Sequence, residues 1–390
     1  MSFSRPDRSG SAGWGQPFRL VLRLLVMGIG LDVIAGTVLK LLAPRLASDT
    51  INGPRALPAT ASPLQPLPQG LPLGRFEPRL ELTGLSQAWA RLAALDKDLK
   101  ASGFVLVLDD GRFAQLRSTD PMPAASSIKT PVLLASMEDL DQGLLRWNES
   151  LTMTKEVVGG GAGWMGGSPL GTRFPVHEAA AEMIRVSDNT ATNLLIKRLG
   201  GKAKLNARFR SLGLPATKVN NWLPDLGGTN TTSSRDLART IALVETGERL
   251  SPRARDLFRE VMGRTVTRTL IPAGVLRGVT GSSTYPPDSE LRAKGITVLN
   301  KTGDIGIAYA DGALIQLPNG QRAVAAFMVK GPFNDPRSTE LIRSMAAEMS
   351  RVLINEPAAA AKAAEAKPPL SRDPVSRPPA GAGVGVGTRP

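Results

Sequence analysis

The chain has 390 residues, 42% of them hydrophobic, with 48 Lys+Arg against 34 Asp+Glu for a net charge of +14, and no cysteine. That length and apolar content suffice for one large core or two domains and exclude a wholly disordered chain. The missing cysteines exclude disulfides, thiolate metal sites and a lipid-modified cysteine anchor.

In chain order, residues 1–17 are polar and carry Arg5 and Arg8. An apolar stretch follows from Leu20 to Leu42, interrupted by Arg23, Asp32 and Lys40. A single central Asp costs about 2.5–3.5 kcal/mol in a membrane, which the many leucines and valines offset. A cleaved signal peptide and an in-plane amphipathic helix compete with an anchor, but the stretch is long for the first and no clean A-x-A site follows. A single-pass anchor over 18–43 is expected, with 1–17 cytoplasmic behind Arg5, Arg8, Arg19 and Arg23 and the rest of the chain outside the cytoplasmic membrane. Residues 44–84 are rich in proline and read as a semi-rigid linker. Residues 357–390, mostly Ala, Pro and Gly, have almost nothing to bury and read as a disordered tail.

The folded domain is expected between them, over 85–356. Helical periodicity covers 85–99, and 104–108 reads as a strand joined through Asp109-Asp110-Gly111 to a second near 113–116. Much helix is expected from 126 to about 244. Strands return at 296–300, 309–317 and 322–329, with Pro318-Asn319-Gly320 as a hairpin turn, and a helix over 336–353 closes the domain. Strands at both ends with helices between them predict an α/β (α+β) fold: one antiparallel sheet formed from both ends of the domain, packed beside a mainly helical lobe. Within 85–356, Lys+Arg number 34 against 27 Asp+Glu, so half the surplus charge lies in the flanks. A mildly basic domain suits an anionic partner such as a cell-wall polymer or lipid headgroups, and equally suits ordinary solvated charge. No basic run interleaves with aromatics, so a nucleic-acid partner is not expected.

Three short motifs stand in order: Ser126-Ser127-Ile128-Lys129 (S-x-x-K), Ser187-Asp188-Asn189 (S-D-N) and Lys301-Thr302-Gly303 (K-T-G). An S-x-x-K alone is expected about once in a chain of this size, but all three in this order arise by chance in well under about 1% of chains. A serine hydroxyl is a poor nucleophile until a base takes its proton. Residues three apart on a helix share a face, so Lys129 reaches Ser126 if the pair starts a helix, where the dipole also favours developing negative charge. Lys129 serves as base only if burial and a nearby cation such as Lys301 depress its pKa. Taken alone, Ser187-Asp188-Asn189 reads as a helix N-cap. The single histidine, His177, reads as a surface residue at a helix start.

With their flanks, from about residue 85 to 355, these motifs resemble class A β-lactamases and the related penicillin-recognising serine enzymes. The resemblance implies a serine β-lactamase/DD-peptidase-like fold and an acyl-enzyme on Ser126 formed from a β-lactam or a cell-wall peptide, with no metal or cofactor. Ser126, Lys129 and Ser187 would be catalytic, Ser187 relaying a proton to the leaving group. Asn189, Lys301, Thr302 and Gly303 would bind substrate, and the backbone N–H groups of Ser126 and Asp304 would form the oxyanion hole. Asp188 would fix the loop that presents its neighbours. Trp164, in a glycine-rich run, either walls the cleft or packs in the core.

One departure stands out. The family's deacylating glutamate sits in a W-E-P-E-L-N-like loop, and the comparable stretch here is Trp222-Leu223-Pro224-Asp225-Leu226. Leu223 can neither accept a proton nor orient water, and Asp225, two residues on, is the only carboxylate nearby. Slow deacylation is expected. Three readings therefore compete: β-lactam hydrolysis, D-alanyl-D-alanine peptidase action, and a catalytically weak wall-binding protein.

Overall fold

A computed structural model describes residues 75–283 and 287–365. The expected cytoplasmic segment and anchor, most of the linker and most of the tail lie outside the described residues. Among those described, no helix is long and apolar enough to cross a membrane.

The chain enters through β1 (Leu80–Glu81), α1 (Thr83–Ala94), β2 (Lys100–Val107) and β3 (Arg112–Leu116). A short β4 (Met122–Pro123) precedes a 3₁₀ turn, Ala125–Ile128, and α2 (Lys129–Asp141). Then follow β5 (Ser150–Thr152), β6 (Arg173–Pro175), α3 (Val176–Arg185), α4 (Asn189–Arg198), α5 (Gly201–Ser211), β7 (Thr231–Thr232), α6 (Ser234–Glu245) and α7 (Pro252–Gly263). The chain finishes with α8 (Ile271–Thr280), α9 (Asp288–Ala293), β8 (Thr297–Asp304), β9 (Ala308–Gln316), β10 (Arg322–Lys330) and α10 (Pro336–Glu365).

The main sheet has the order β1-β3-β2-β10-β9-β8. Strands from the two ends of the domain meet where β2 pairs antiparallel with β10, as the sequence predicts. One detail differs: β1 pairs parallel with β3, so the sheet is not wholly antiparallel. The fold also begins ahead of residue 85, since β1 joins the sheet and Phe76 lies 5.6 Å from the Phe104 ring. The stretch expected to be largely helical is interrupted by β5 and β6, which pair with each other, and by β7, which pairs with β4.

The central strands are buried on both faces, which is why they read as near-continuous apolar runs. One face packs on α1, α8 and α10 through Trp89, Val275, Phe327 and Met345. Trp89 makes an edge contact with Phe327 at 5.1 Å and its indole donates to the Met345 carbonyl at 2.9 Å. The other face packs on α6 through Phe104, Leu237 and Ile241. The helical lobe wraps α2, which is buried along nearly its whole length. β8 is a sheet edge, and its lobe-side face meets the turn that leads into α2. That junction collects the three motifs.

Candidate active site

Ser126 lies in the 3₁₀ turn rather than in the α-helix, which starts at Lys129. The turn is tight: Ala125 before the serine has φ of 46°, an unfavourable region for a residue with a Cβ. Ser126 is half-buried, while Ser127 is buried and donates to the Ala124 carbonyl at 2.6 Å. The neighbouring hydroxyl is thereby committed to a backbone carbonyl. Gly303 of β8 lies against this turn. A Cβ there would stand 2.8 Å from the Ser126 nitrogen and 2.7 Å from the Ser127 nitrogen. The bare glycine thus lets the K-T-G strand close on the serine, a packing demand beyond the substrate approach expected of it.

Lys129 is fully buried at the centre. Its Nζ lies 2.9 Å from Ser126 Oγ, 2.9 Å from Ser187 Oγ, 2.6 Å from the Ser187 carbonyl and 2.8 Å from Asn189 Oδ1. Burial, then the charge of Lys301, holds its pKa well below the usual lysine range, against an opposing pull from Asp188. In the neutral amine the two hydrogens suit the Ser187 carbonyl and Asn189 Oδ1, which can only accept. The lone pair is left for the two hydroxyls, so one nitrogen can take a proton from Ser126 or exchange one with Ser187.

Lys301, also buried, donates to Ser187 Oγ at 3.0 Å and to the Thr302 carbonyl at 2.7 Å. Burial lowers its pKa to about 8, against the pull of Asp311. Ser187 therefore sits between two lysines, held with φ of 62°. Thr302 is nearly buried, and Asp304 ends β8 beside the serine turn, exposed.

Motif reading did not reach the support beneath this strand. Asn300 Nδ2 donates to both oxygens of Asp311 on β9, at 3.0 and 3.1 Å, and Arg268 donates to Asn300 Oδ1 and the Val298 carbonyl. Burial pushes the Asp311 carboxyl up to about 7 although Asn300, the Ile271 N–H, Lys301 and Arg268 all pull it down. The available signal was an aspartate inside an apolar strand.

Asp188 acts as a helix cap and holds a loop, though a different one from the segment that presents Ser187 and Asn189. It caps α4 through Ala191 N–H at 2.8 Å and fastens the glycine-rich loop through the N–H groups of Trp164 and Met165 at 2.7 and 2.9 Å. Asn189 adds a bond from Nδ2 to the Gly160 carbonyl at 2.8 Å. Trp164 itself is 47% exposed; its indole donates to Glu182 at 2.7 Å and its ring meets Phe174 edge-on. It is therefore no core residue, and its ring is tied to α3 and β6, where Glu182 and Phe174 lie.

Leu223 is buried, with its N–H and carbonyl both held by the Asn193 amide at 2.9 and 2.7 Å. Asp225, the carboxylate two residues on, is engaged by its own loop. One of its oxygens accepts from Thr229 and Asn221, the other from the Asn230 N–H at 2.6 Å, so its carboxylate closes its own loop. His177 is exposed at the start of α3, against Trp147, and belongs to no part of the site.

Residues 84–353 match the beta-lactamase enzyme family. Among curated relatives, the β-lactamase of Streptomyces albus G is 30% identical over 225 residues, covering 53% of this chain and 72% of its own. The carbapenem-hydrolysing β-lactamase KPC of Klebsiella oxytoca is 25% identical over 274 residues, 66% of this chain and 86% of its own. Among solved structures, PBP-A superimposes with a TM-score of 0.65 at 41% identity, covering 71% of this chain and 98% of that one. A leucine-to-glutamate variant of PBP-A, seen as an acyl-enzyme with penicillin G, matches equally well. The class A β-lactamase of the last common ancestor of Gram-negative bacteria matches with a TM-score of 0.59 at 25% identity, covering 69% and 99%. This chain belongs to the beta-lactamase enzyme family, as a serine hydrolase of the class A type.

Proposed function

We propose that Ser126 is acylated by β-lactams, with Lys129 as the base, and that the adduct is released slowly. The observation that carries this is the buried Lys129 amine, 2.9 Å from both Ser126 Oγ and Ser187 Oγ. Ser126 Oγ attacks the lactam carbonyl as its proton passes to Lys129 Nζ. The oxyanion forms against the N–H groups of Ser126 and Asp304. Ser187 then hands its proton to the departing lactam nitrogen and is reprotonated from Lys129. Lys301, with Thr302, holds the substrate carboxylate, and the Asn189 amide holds the acyl amide carbonyl. Hydrolysis of the ester needs an activated water, and Leu223 supplies no base for it. Losing one general base costs about 10²–10⁴-fold in rate.

Mass spectrometry of the protein with penicillin, followed over time, tests this. A Ser126 adduct that outlasts the mixing by far, and is absent in Ser126→Ala, is expected. Fast turnover without a detectable adduct, or an adduct surviving in Ser126→Ala, would refute it.

A second reading, a D-alanyl peptidase acting on cell-wall peptides, is favoured by the same leucine. A cell-wall enzyme that binds penicillin as an inhibitor has no use for rapid ester hydrolysis of the drug. We further propose that residues 18–43 tether the domain outside the cytoplasmic membrane, on the strength of their apolar run behind four arginines. Carbonate extraction checks this, and a soluble fraction holding the protein would refute it.

A further inference from the structure

Asp304 places an exposed charge at the end of β8, next to Gly303, that the acylation chemistry does not use. Residues two apart on a strand point to the same face, so Asp304 shares its face with Thr302. The register agrees: Asp304 stands opposite Tyr309 and Thr302 opposite Asp311 on β9. The Asp304 side chain accepts from the Gly306 N–H at 2.8 Å and pairs with no cation among the described residues. Its charge, after burial, helps hold the Tyr309 phenol above its usual range, together with that of Asp335. Asp335 is itself bound to Arg337 at 2.6 Å. Lys301, by contrast, reaches Ser187 from the other face of β8. An exposed, unpaired carboxylate thus lies two residues beyond Thr302, where the substrate carboxylate is to rest.

We propose that Asp304 filters substrates by charge: it disfavours those carrying a carboxylate at the Lys301–Thr302 end and favours those uncharged or cationic there. This rests on the reading of Ser126 as the acylated residue. Two like charges within several ångströms, partly open to water, weaken association about tenfold, and salt screens the effect.

The test compares acylation of Ser126 by benzylpenicillin and by its methyl ester, in the native protein, Asp304→Asn and Asp304→Ser. Both variants keep an acceptor for the Gly306 N–H. At low salt each variant should raise the rate with the free acid about tenfold more than the rate with the ester, and about 1 M salt should shrink that difference several-fold. Equal changes with acid and ester would show that Asp304 acts only by shaping the turn, and a fall with the acid alone would reverse the proposed sign; either overturns the filter. Native protein that forms no Ser126 adduct with either ligand would overturn the acylation reading, and the filter with it.

Discussion

Lys129 is a buried amine surrounded by four oxygens, two of them carbonyls that can only accept. Such a site would stabilise an ammonium if it held a carboxylate, but the charge that weighs most on it is that of Lys301. Desolvation and like charge therefore lower its pKa, which favours the neutral amine that the proposed base role requires. The pH profile follows from the signs. Acylation should rise as Lys129 loses its proton, at a pH well below that of an ordinary lysine. It should fall again above about 8, where Lys301 loses the charge that holds the substrate carboxylate. Rates of penicillin labelling across pH check this, and Lys301→Ala should abolish the upper limb's dependence while weakening binding.

At the scale of elements, the site is a meeting of three rigid pieces with few spare atoms between them. The serine turn meets β8 through the missing Cβ of Gly303. The glycine-rich loop hangs on Asp188 and Asn189 at the start of α4. The Leu223 segment hangs on Asn193, one turn further along the same helix. Because Asn193 grips the backbone of residue 223, the side chain there can change without releasing the loop. Leu223→Glu should therefore fold, at some cost for a carboxylate in a buried place. It should shorten the life of the penicillin adduct by about tenfold or more, a fraction of what a well-placed base supplies. Time-resolved mass spectrometry reads this directly. An unchanged lifetime in a folded variant would mean that residue 223 does not face the ester.

For the whole molecule, the decisive contact is between the two ends of the domain. β2 comes from the start and β10 from the end, and Trp89 of α1 locks onto Phe327 of β10 and the Met345 carbonyl of α10. The six-stranded sheet is complete only when strands from both ends pair, and its edge strand β8 carries the K-T-G motif to the serine turn. Trp89→Ala removes a fully buried ring from this junction and should cost about 3–5 kcal/mol. Urea unfolding checks the loss. Activity should survive in the fraction that remains folded, because Trp89 touches no motif residue.

The sequence by itself determined the family and named the candidate groups of the site. Ser126, Lys129, Ser187, Asn189 and Lys301 are legible as candidates because the proposed nucleophile, base and carboxylate-binding cation are specific residue types at fixed local spacing. The sheet built from both ends was legible too, because alternating and apolar runs report burial locally. Other features depended on groups far apart in the chain. Whether Lys129 is neutral rests on a desolvation and a Lys301 charge that only folding brings together. That Asp225 is held by donors of its own loop, Thr229 and the Asn230 N–H, shows only in the folded chain. The Arg268–Asn300–Asp311 support under the K-T-G strand needs the β8–β9 register, which no single stretch encodes. Spacing along the chain fixes which groups are available; their protonation and their partners are set by burial and by neighbours across the sheet, and those exist only in the tertiary structure.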